Sequence, residues 1–280
     1  MIRKTEELPL SKIPITLDES IMRTVENYTV GFLRIEDGKQ GKDLVLLGSG
    51  TLVRVNGIPA ILTAHHVVEV LPGIAKLGLV YSSRRSYGKI ETDGLRYIKI
   101  ARGTVDSDGP DLGAVILPPP LASSLEAIKS FHNMDRKRME LLNQPPSITG
   151  GLWVVQGFIA ERTKEEVDFD HKVKRVRFFE LCSSGGVIPY TVDHYDYFRL
   201  PIEHADHRSV PASYRGTSGG GLWQVPLKRN TPDGEISHAT VPILSGVAFY
   251  QEATESGQSA LRCHGRHSIY ADAYEAIKRS

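Results

Sequence analysis

The chain has 280 residues, 40% of them hydrophobic, which is enough to bury one large core or two smaller ones without covalent staples. A formal net charge of +1 gives no basic field that would favour nucleic acid or an anionic membrane as the main partner. Two cysteines, Cys182 and Cys263, are too few for a disulfide framework. We therefore expect a globular protein with reduced thiols that binds neither nucleic acid nor membrane.

The first 27 residues read as an N-terminal extension without a secretory signal. Residues 1–7 are charged, and the apolar stretch that follows is broken by Pro9 and Pro14. No apolar run approaches the roughly 18 residues that span a membrane. These features predict a cytoplasmic location.

The next segment, residues 28–120, is predicted to form a small β-barrel. Short apolar or alternating runs rich in β-branched and aromatic residues are separated by turn signals such as Asn56-Gly57 and Asp93-Gly94. The six runs are residues 29–35, 44–55, 59–63, 74–81, 95–101 and 111–117. Six strands are enough to close one barrel.

Residues 121–150 are predicted to link this barrel to a second one. Prolines at 118–120 and at 145–146 bracket a stretch whose apolar positions, Leu125, Ile128, Met139 and Leu142, suit an amphipathic linker helix. The second barrel, residues 151–267, is predicted from runs at 152–159, 173–181, 187–192, 221–225, 238–241 and 243–250. Residues 268–280 are predicted to form a closing C-terminal helix. The fold class is therefore all-β, with two six-stranded antiparallel β-barrels.

A glycine-rich segment, Gly216-Thr217-Ser218-Gly219-Gly220, has the pattern of a serine held exposed on a tight turn. Such a serine can act as a nucleophile. The backbone amides of Gly216 and Ser218 would then point into one small space, where they could stabilise the oxyanion of a tetrahedral intermediate.

A serine hydroxyl needs a base that takes its proton, and the base needs a carboxylate that fixes its tautomer. Two adjacent histidines, His65 and His66, follow an apolar run, and either could be the base. Asp111 opens a short apolar strand and is the candidate carboxylate. Asp106 and Asp108 are the alternatives to it.

The candidate residues follow the chain order His, Asp, Ser. In this order, the chain resembles the trypsin-like (chymotrypsin-fold) serine peptidases, and most of all intracellular or HtrA-type bacterial members without a PDZ domain. The resemblance covers roughly residues 28 to 275. It lies in Gly48-Ser49-Gly50-Thr51, Thr63-Ala64-His65-His66, Asp111-Leu112-Gly113-Ala114-Val115 and the Gly216–Gly220 segment. It implies His66, rather than His65, as the base, with Asp111 and Ser218 completing a catalytic triad.

The resemblance also implies substrate contacts. The position of the specificity-pocket base falls on Ala212, where no carboxylate can bind a basic side chain, so we expect a small or apolar residue before the cleaved bond. Phe249, Tyr250 and Gln251 match the strand that pairs with an extended substrate. Thr217 stands where activated members carry an aspartate that pairs with a new amino terminus, so activation by terminal insertion is not expected.

These features predict a serine endopeptidase that cleaves polypeptides through an acyl-enzyme and needs no cofactor. A regulatory protein partner is hypothesised, in a bacterial defence or stress system. No metal is expected, because neither His204, Asp206 and His207 nor Cys263, His264 and His267 have the spacing of a closed zinc site. The alternatives are a catalytically silent interaction module of the same fold and an esterase. Too short a chain follows Ser218 to complete the esterase fold.

Overall fold

A computed structural model describes residues 15–38, 41–82, 86–102, 110–149, 151–168, 173–202, 211–229, 236–238, 241–253 and 259–280. Most of these residues belong to two large sheets. The strands of the first sheet are β1 (Thr29–Gly38), β2 (Gly41–Val55), β3 (Ile58–Thr63), β4 (Leu77–Ser82), β5 (Ser86–Lys89), β6 (Arg96–Arg102), β7 (Asp111–Ile116) and β8 (His132–Asn133).

The second sheet has seven strands, and a short hairpin accompanies it. The sheet consists of β9 (Leu152–Asp168), β10 (Val173–Gly185), β11 (Ile188–Val192), β12 (Tyr195–Pro201), β13 (Gly221–Val225), β16 (Ile243–Ala253) and β17 (Ser259–His264). The separate hairpin is β14 (Leu227–Arg229) with β15 (Ile236–His238).

The two sheets repeat one strand order. The first runs β5-β4-β1-β2-β3-β7-β6, and the second runs β10-β9-β13-β16-β17-β12-β11. We leave out β5 and β11 and number the six main strands of each sheet 1 to 6 in chain order. In both sheets, neighbouring strands then follow the same closed order, 1-2-3-6-5-4. The linear order given above ends at strands 4 and 5 in the first sheet and at strands 2 and 3 in the second. The predicted all-β class with two antiparallel barrels is therefore confirmed.

The sequence reasoning misassigned part of the second barrel. It did not identify β12 or β17, which are two of the six main strands, and it counted β11 and the run at 238–241 in their place. In that run His238 ends β15, which lies outside the large sheet, and Val241 belongs to no strand. The first barrel agrees strand by strand, apart from the added β5 and the short β8, which pairs in parallel with β2.

Helices lie between and beside the sheets. They are α1 (Ile15–Glu26), α2 (His65–Val70), α3 (Pro119–Glu126), α4 (Arg138–Asn143) and α5 (Tyr274–Lys278), the last preceded by a π-helical turn, Ser268–Ala273. The predicted C-terminal helix is thus present. The predicted linker helix is not continuous, because β8 separates α3 from α4. Helix α1, which the sequence reasoning did not identify, buries Leu17, Ile21 and Val25 on one face.

One apolar cluster of the core spans both sheets. One buried cluster joins Val53 and Leu62 of the first sheet to Val154 and Trp223 of the second. The same cluster takes in the buried face of α1 and the C-terminal helical segment. The two barrels are therefore packed as one body, while the domain boundaries at residues 120 and 150 stay a prediction. Within the described ranges, no helix is long and apolar enough to cross a membrane.

One partly buried histidine, His132, makes the stability of this core depend on pH. The ring of His132 packs edge-on against Tyr28 and Trp223, and burial lowers its pKa from 6.5 to about 4. As pH falls through this window, the unfolded chain takes up the proton first, so the free energy of unfolding must fall.

We expect His132→Phe to remove about 2 kcal/mol of the stability loss between pH 7 and pH 5. Urea unfolding at the two pH values measures it. The matched control is the exposed His194 in His194→Gln, which should keep the wild-type slope. An unchanged pH dependence in His132→Phe would show that this histidine is not buried in its neutral form.

Candidate active site

The structure pairs His66 with Asp111 in a two-point contact. Nδ1 of His66 lies 2.5 Å from Oδ2 of Asp111, and the backbone N–H of His66 donates to Oδ1 at 2.9 Å. His66 lies in the first turn of α2, and Asp111 is the first residue of β7. Because both carboxylate oxygens of Asp111 bond to His66, the imidazole is held in a fixed orientation. Its Nε2 takes no part in these two bonds.

The surroundings favour the ionised form of Asp111. Burial alone would raise the pKa of its carboxyl, but the hydrogen bonds and charge of His66 outweigh burial and hold the pKa below its usual value. The alternative base, His65, is buried, and burial lowers its pKa. Within the described residues its Nδ1 has no hydrogen-bond partner. Asp106 and Asp108 lie outside the described residues.

Ser218 shares a cleft of about 310 Å³ with His66 and Asp111. Its hydroxyl donates to the carbonyl oxygen of Phe249, with Oγ 3.3 Å from that oxygen. In the described part of the chain, no hydrogen bond joins Ser218 Oγ to the ring of His66. The three predicted residues therefore line one cleft, and the hydroxyl must turn away from Phe249 before the imidazole can accept its proton.

Two backbone amides of the serine loop have no acceptor among the described residues. These are the N–H groups of Gly216 and Ser218. The N–H groups of Thr217, Gly219 and Gly220 donate to the carbonyls of Tyr214, Ala248 and Thr217, respectively. The carbonyl of Arg215 accepts from the Ala160 amide at 2.9 Å, on the β9 side. Because a trans peptide holds its N–H opposite its C=O, the Gly216 amide points away from β9.

The glycines of this loop are required by its geometry. Gly216 and Gly219 have φ values of +100° and +94°, in the region that favours glycine. A Cβ on Gly219 would also overlap the carbonyl oxygen of Ser49. The pattern Gly-x-Ser-Gly-Gly thus marks both a left-handed turn and a close approach to the first barrel.

Strand β2 fixes this loop from the opposite barrel. The buried Ser49 hydroxyl donates to the Gly216 carbonyl at 2.6 Å and accepts from the Phe158 amide at 2.8 Å. The Ser49 amide donates to the carbonyl of Ser218 at 2.7 Å, and Thr51 Oγ1 donates to that of Gly219 at 3.2 Å. These bonds turn the carbonyls of the loop towards β2.

The predicted substrate residues divide into two groups. Phe249, Tyr250 and Gln251 line the cleft, and Tyr250 is 43% exposed there. Ala212 is exposed but does not line the cleft. Instead, the backbone amides of Ala212 and Ser213 donate to the carboxylate of Glu161, at 3.2 and 2.6 Å.

Several positioning contacts were missed by sequence reasoning. Ser49 was treated only as part of a strand, Glu161 was not considered, and His264 was weighed only as a metal ligand. Their partners lie far away along the chain, so no local pattern identifies them. In the described part of the chain, no group of histidine, cysteine and acidic side chains could hold a metal ion, and residues 204–207 lie outside that part.

We expect Ser49→Ala to lower the free energy of unfolding by about 2 to 4 kcal/mol, because it leaves the Phe158 amide and the Gly216 carbonyl buried without their partner. Amide hydrogen exchange across residues 216–220 should become faster. Urea unfolding and exchange mass spectrometry measure these effects. Ser124→Ala, on the exposed face of α3, is the matched control, and equal exchange in both variants would contradict the role of Ser49.

The chain was compared with known proteins. No family model matches it, and no curated protein is similar enough to match. Among solved structures, the HtrA-type protease AlgW with a decapeptide has 12% identity and a TM-score of 0.47, over 93% of this chain and 67% of that one.

Two viral structures are similar at the same level. One concerns coupled folding and binding of the intrinsically disordered Sesbania mosaic virus VPg protein, at 13% identity and a TM-score of 0.43, over 86% of this chain and 88% of that one. The other is a mutant of the tobacco etch virus protease, at 12% identity and 0.40, over 91% and 78%. Likenesses of this size carry no conclusion about the chain's chemistry.

Proposed function

We propose that the chain is a serine endopeptidase that cleaves peptide bonds through an acyl-enzyme. The observation that carries the proposal is the cleft that the His66–Asp111 pair shares with Ser218, whose own amide and that of Gly216 have no acceptor among the described residues. A base, a nucleophile and two donors for an oxyanion are the parts that acyl transfer needs.

In the proposed mechanism, Ser218 Oγ leaves the Phe249 carbonyl and attacks the substrate carbonyl carbon while Nε2 of His66 takes the hydroxyl proton. Asp111 stabilises the imidazolium through Nδ1–H, and the two amides stabilise the oxyanion. When the C–N bond breaks, His66 gives the proton to the leaving amine. Water then attacks the ester carbonyl while His66 takes a proton from it, and His66 returns that proton to Ser218 Oγ as the ester C–O bond breaks.

Serine is a better candidate than cysteine for the nucleophile. Cys263 is fully buried in β17, and burial raises the pKa of its thiol, so it has little thiolate at neutral pH. Cys182 lies in β10. The hydroxyl at the tight turn is that of Ser218.

Gln251 favours a substrate with a small residue before the cleaved bond. Its Oε1 accepts from the Tyr214 amide at 2.8 Å, and its Nε2 lies 3.3 Å from Ser259 Oγ. The side chain therefore crosses from β16 to the 213–215 segment and occupies room between two walls of the cleft. A large side chain would have to displace it.

A fluorophosphonate should label Ser218 in the wild type, and Ser218→Ala should abolish labelling. Turnover of a peptide panel should fall roughly a million-fold in Ser218→Ala and comparably in His66→Ala, because these groups act as a unit. Asp111→Asn should cost about ten-thousand-fold, since the wrong imidazole tautomer is then favoured. Active-site labelling and kcat/KM measure these effects.

The matched control for labelling is Ser124→Ala, which changes an exposed serine far from the cleft. Hydrolysis that is equal in wild type and Ser218→Ala would refute the proposal. A folded wild type that neither labels nor hydrolyses any peptide would favour the silent interaction module. The esterase alternative predicts turnover of simple esters without any peptide cleavage.

We expect Gln251→Ala to shift the preference towards larger residues at that position. The ratio of kcat/KM for a phenylalanine substrate to that for an alanine substrate should rise by about 10-fold or more, because each added methylene in an apolar pocket changes binding by about 1 to 3 kcal/mol. Gln144→Ala, at the end of α4, is the matched control. An unchanged ratio would remove Gln251 from the specificity pocket.

The hypothesised regulatory partner, the defence setting and the cytoplasmic location remain predictions from sequence. The amides of Gly216 and Ser218 have no acceptor among the described residues, which favours activity of the chain alone. Fluorophosphonate labelling of the purified chain with and without native cell extract distinguishes activity of the chain alone from activity that needs a partner. An increase in labelling only with extract supports a partner.

A further inference from the structure

A fully buried histidine of the second barrel bonds to the backbone of Asp111, the residue of the first barrel that carries the candidate carboxylate. His264 is the last residue of β17, and its Nε2 accepts from the backbone N–H of Asp111 at 2.9 Å. This bond joins residues 153 positions apart. It reaches β7 at its first residue, where the side chain of Asp111 turns to His66.

The acceptor role of Nε2 fixes the state of the ring. A nitrogen that accepts from an amide carries no proton, so neutral His264 must carry its proton on Nδ1. Burial lowers the pKa of His264 to about 4, although the nearby carboxylates of Asp111 and Asp196 oppose this shift. Within the described residues Nδ1 has no hydrogen-bond partner, so its burial lowers the free energy of unfolding.

Aromatic side chains hold this ring in place. Its centroid lies 4.8 Å from that of Phe249, 5.1 Å from that of Tyr197 and 6.1 Å from that of Tyr195. Phe249 is also the residue whose carbonyl accepts the Ser218 hydroxyl. His264 thus stands between the strand that receives the serine hydroxyl and the residue that orients the imidazole.

We propose that His264 is a positioning residue that sets Asp111, and through it His66, in register with Ser218. The inference rests on the proposed function for its effect on turnover, but not for its effect on the His66–Asp111 pair. A ring on the second barrel that holds the backbone of Asp111 defines where the first barrel's carboxylate lies relative to the nucleophile.

Two substitutions separate the hydrogen bond from the packing. His264→Gln places an amide oxygen near the position of Nε2 and can still accept, whereas His264→Leu fills similar space without an acceptor. We expect His264→Leu to lower kcat about 100-fold with little change in KM, as for a displacement of about 1 Å at the reacting groups. His264→Gln should stay within about 10-fold of wild type.

A spectroscopic measurement tests the same proposal without turnover. The proton between Nδ1 of His66 and Asp111 should give a low-field NMR line, assigned by its loss in His66→Ala. The line should persist in His264→Gln and shift or broaden in His264→Leu. The matched control is His132→Leu, which also removes a buried histidine and should leave the line unchanged.

The outcomes are distinguishable. If the wild type shows the low-field line but neither labels nor hydrolyses, the proposed function fails while the positioning role is still decided by the His264 variants. A shared loss of stability in His264→Leu and His132→Leu, with the line and kcat intact in both, would overturn the proposal. If His264→Leu does not fold, the ¹⁵N shifts of wild-type His264 decide, because a protonated Nε2 would exclude the acceptor role.

Discussion

The hydrogen bonds between Ser49 and the Gly216–Gly220 loop are the contact on which the site depends. Every buried backbone group needs a partner, and β2 supplies partners for the carbonyls of this loop. With those carbonyls turned to β2 and the other amides bonded within the second barrel, the amides of Gly216 and Ser218 have no acceptor among the described residues. Packing of the two barrels and formation of this loop geometry are therefore the same event.

The loop closes without a charged partner. Thr217 donates from its hydroxyl to the Tyr214 carbonyl at 2.7 Å, and its backbone amide bonds to the same carbonyl at 3.1 Å. These two bonds close a tight turn from residues that are neighbours along the chain. The turn is therefore held by bonds of Thr217 itself, and the absence of activation by terminal insertion stays a prediction from sequence.

Sequence reasoning succeeded where the signal was local. Gly216 and Gly219 were identifiable because their positive φ angles favour glycine. The strands of the first barrel were identifiable because turn signals separate them. Strand β17, by contrast, has the sequence Ser-Ala-Leu-Arg-Cys-His, with no β-branched residue, and becomes a strand through pairing with β12 and β16. The predicted linker helix is discontinuous for a similar reason. His132 and Asn133 pair with β2, and this pairing interrupts the helix.

The positioning residues were not predictable from sequence because their roles arise only when the barrels meet. Ser49 of the first barrel bonds to the Gly216–Gly220 loop of the second, and His264 of the second bonds to Asp111 of the first. Each half therefore carries chemical groups whose geometry is set by the other half. Neither barrel alone retains all the bonds that orient its own part of the site. The shared core, in which Val53 and Trp223 belong to one cluster, makes that mutual dependence cooperative.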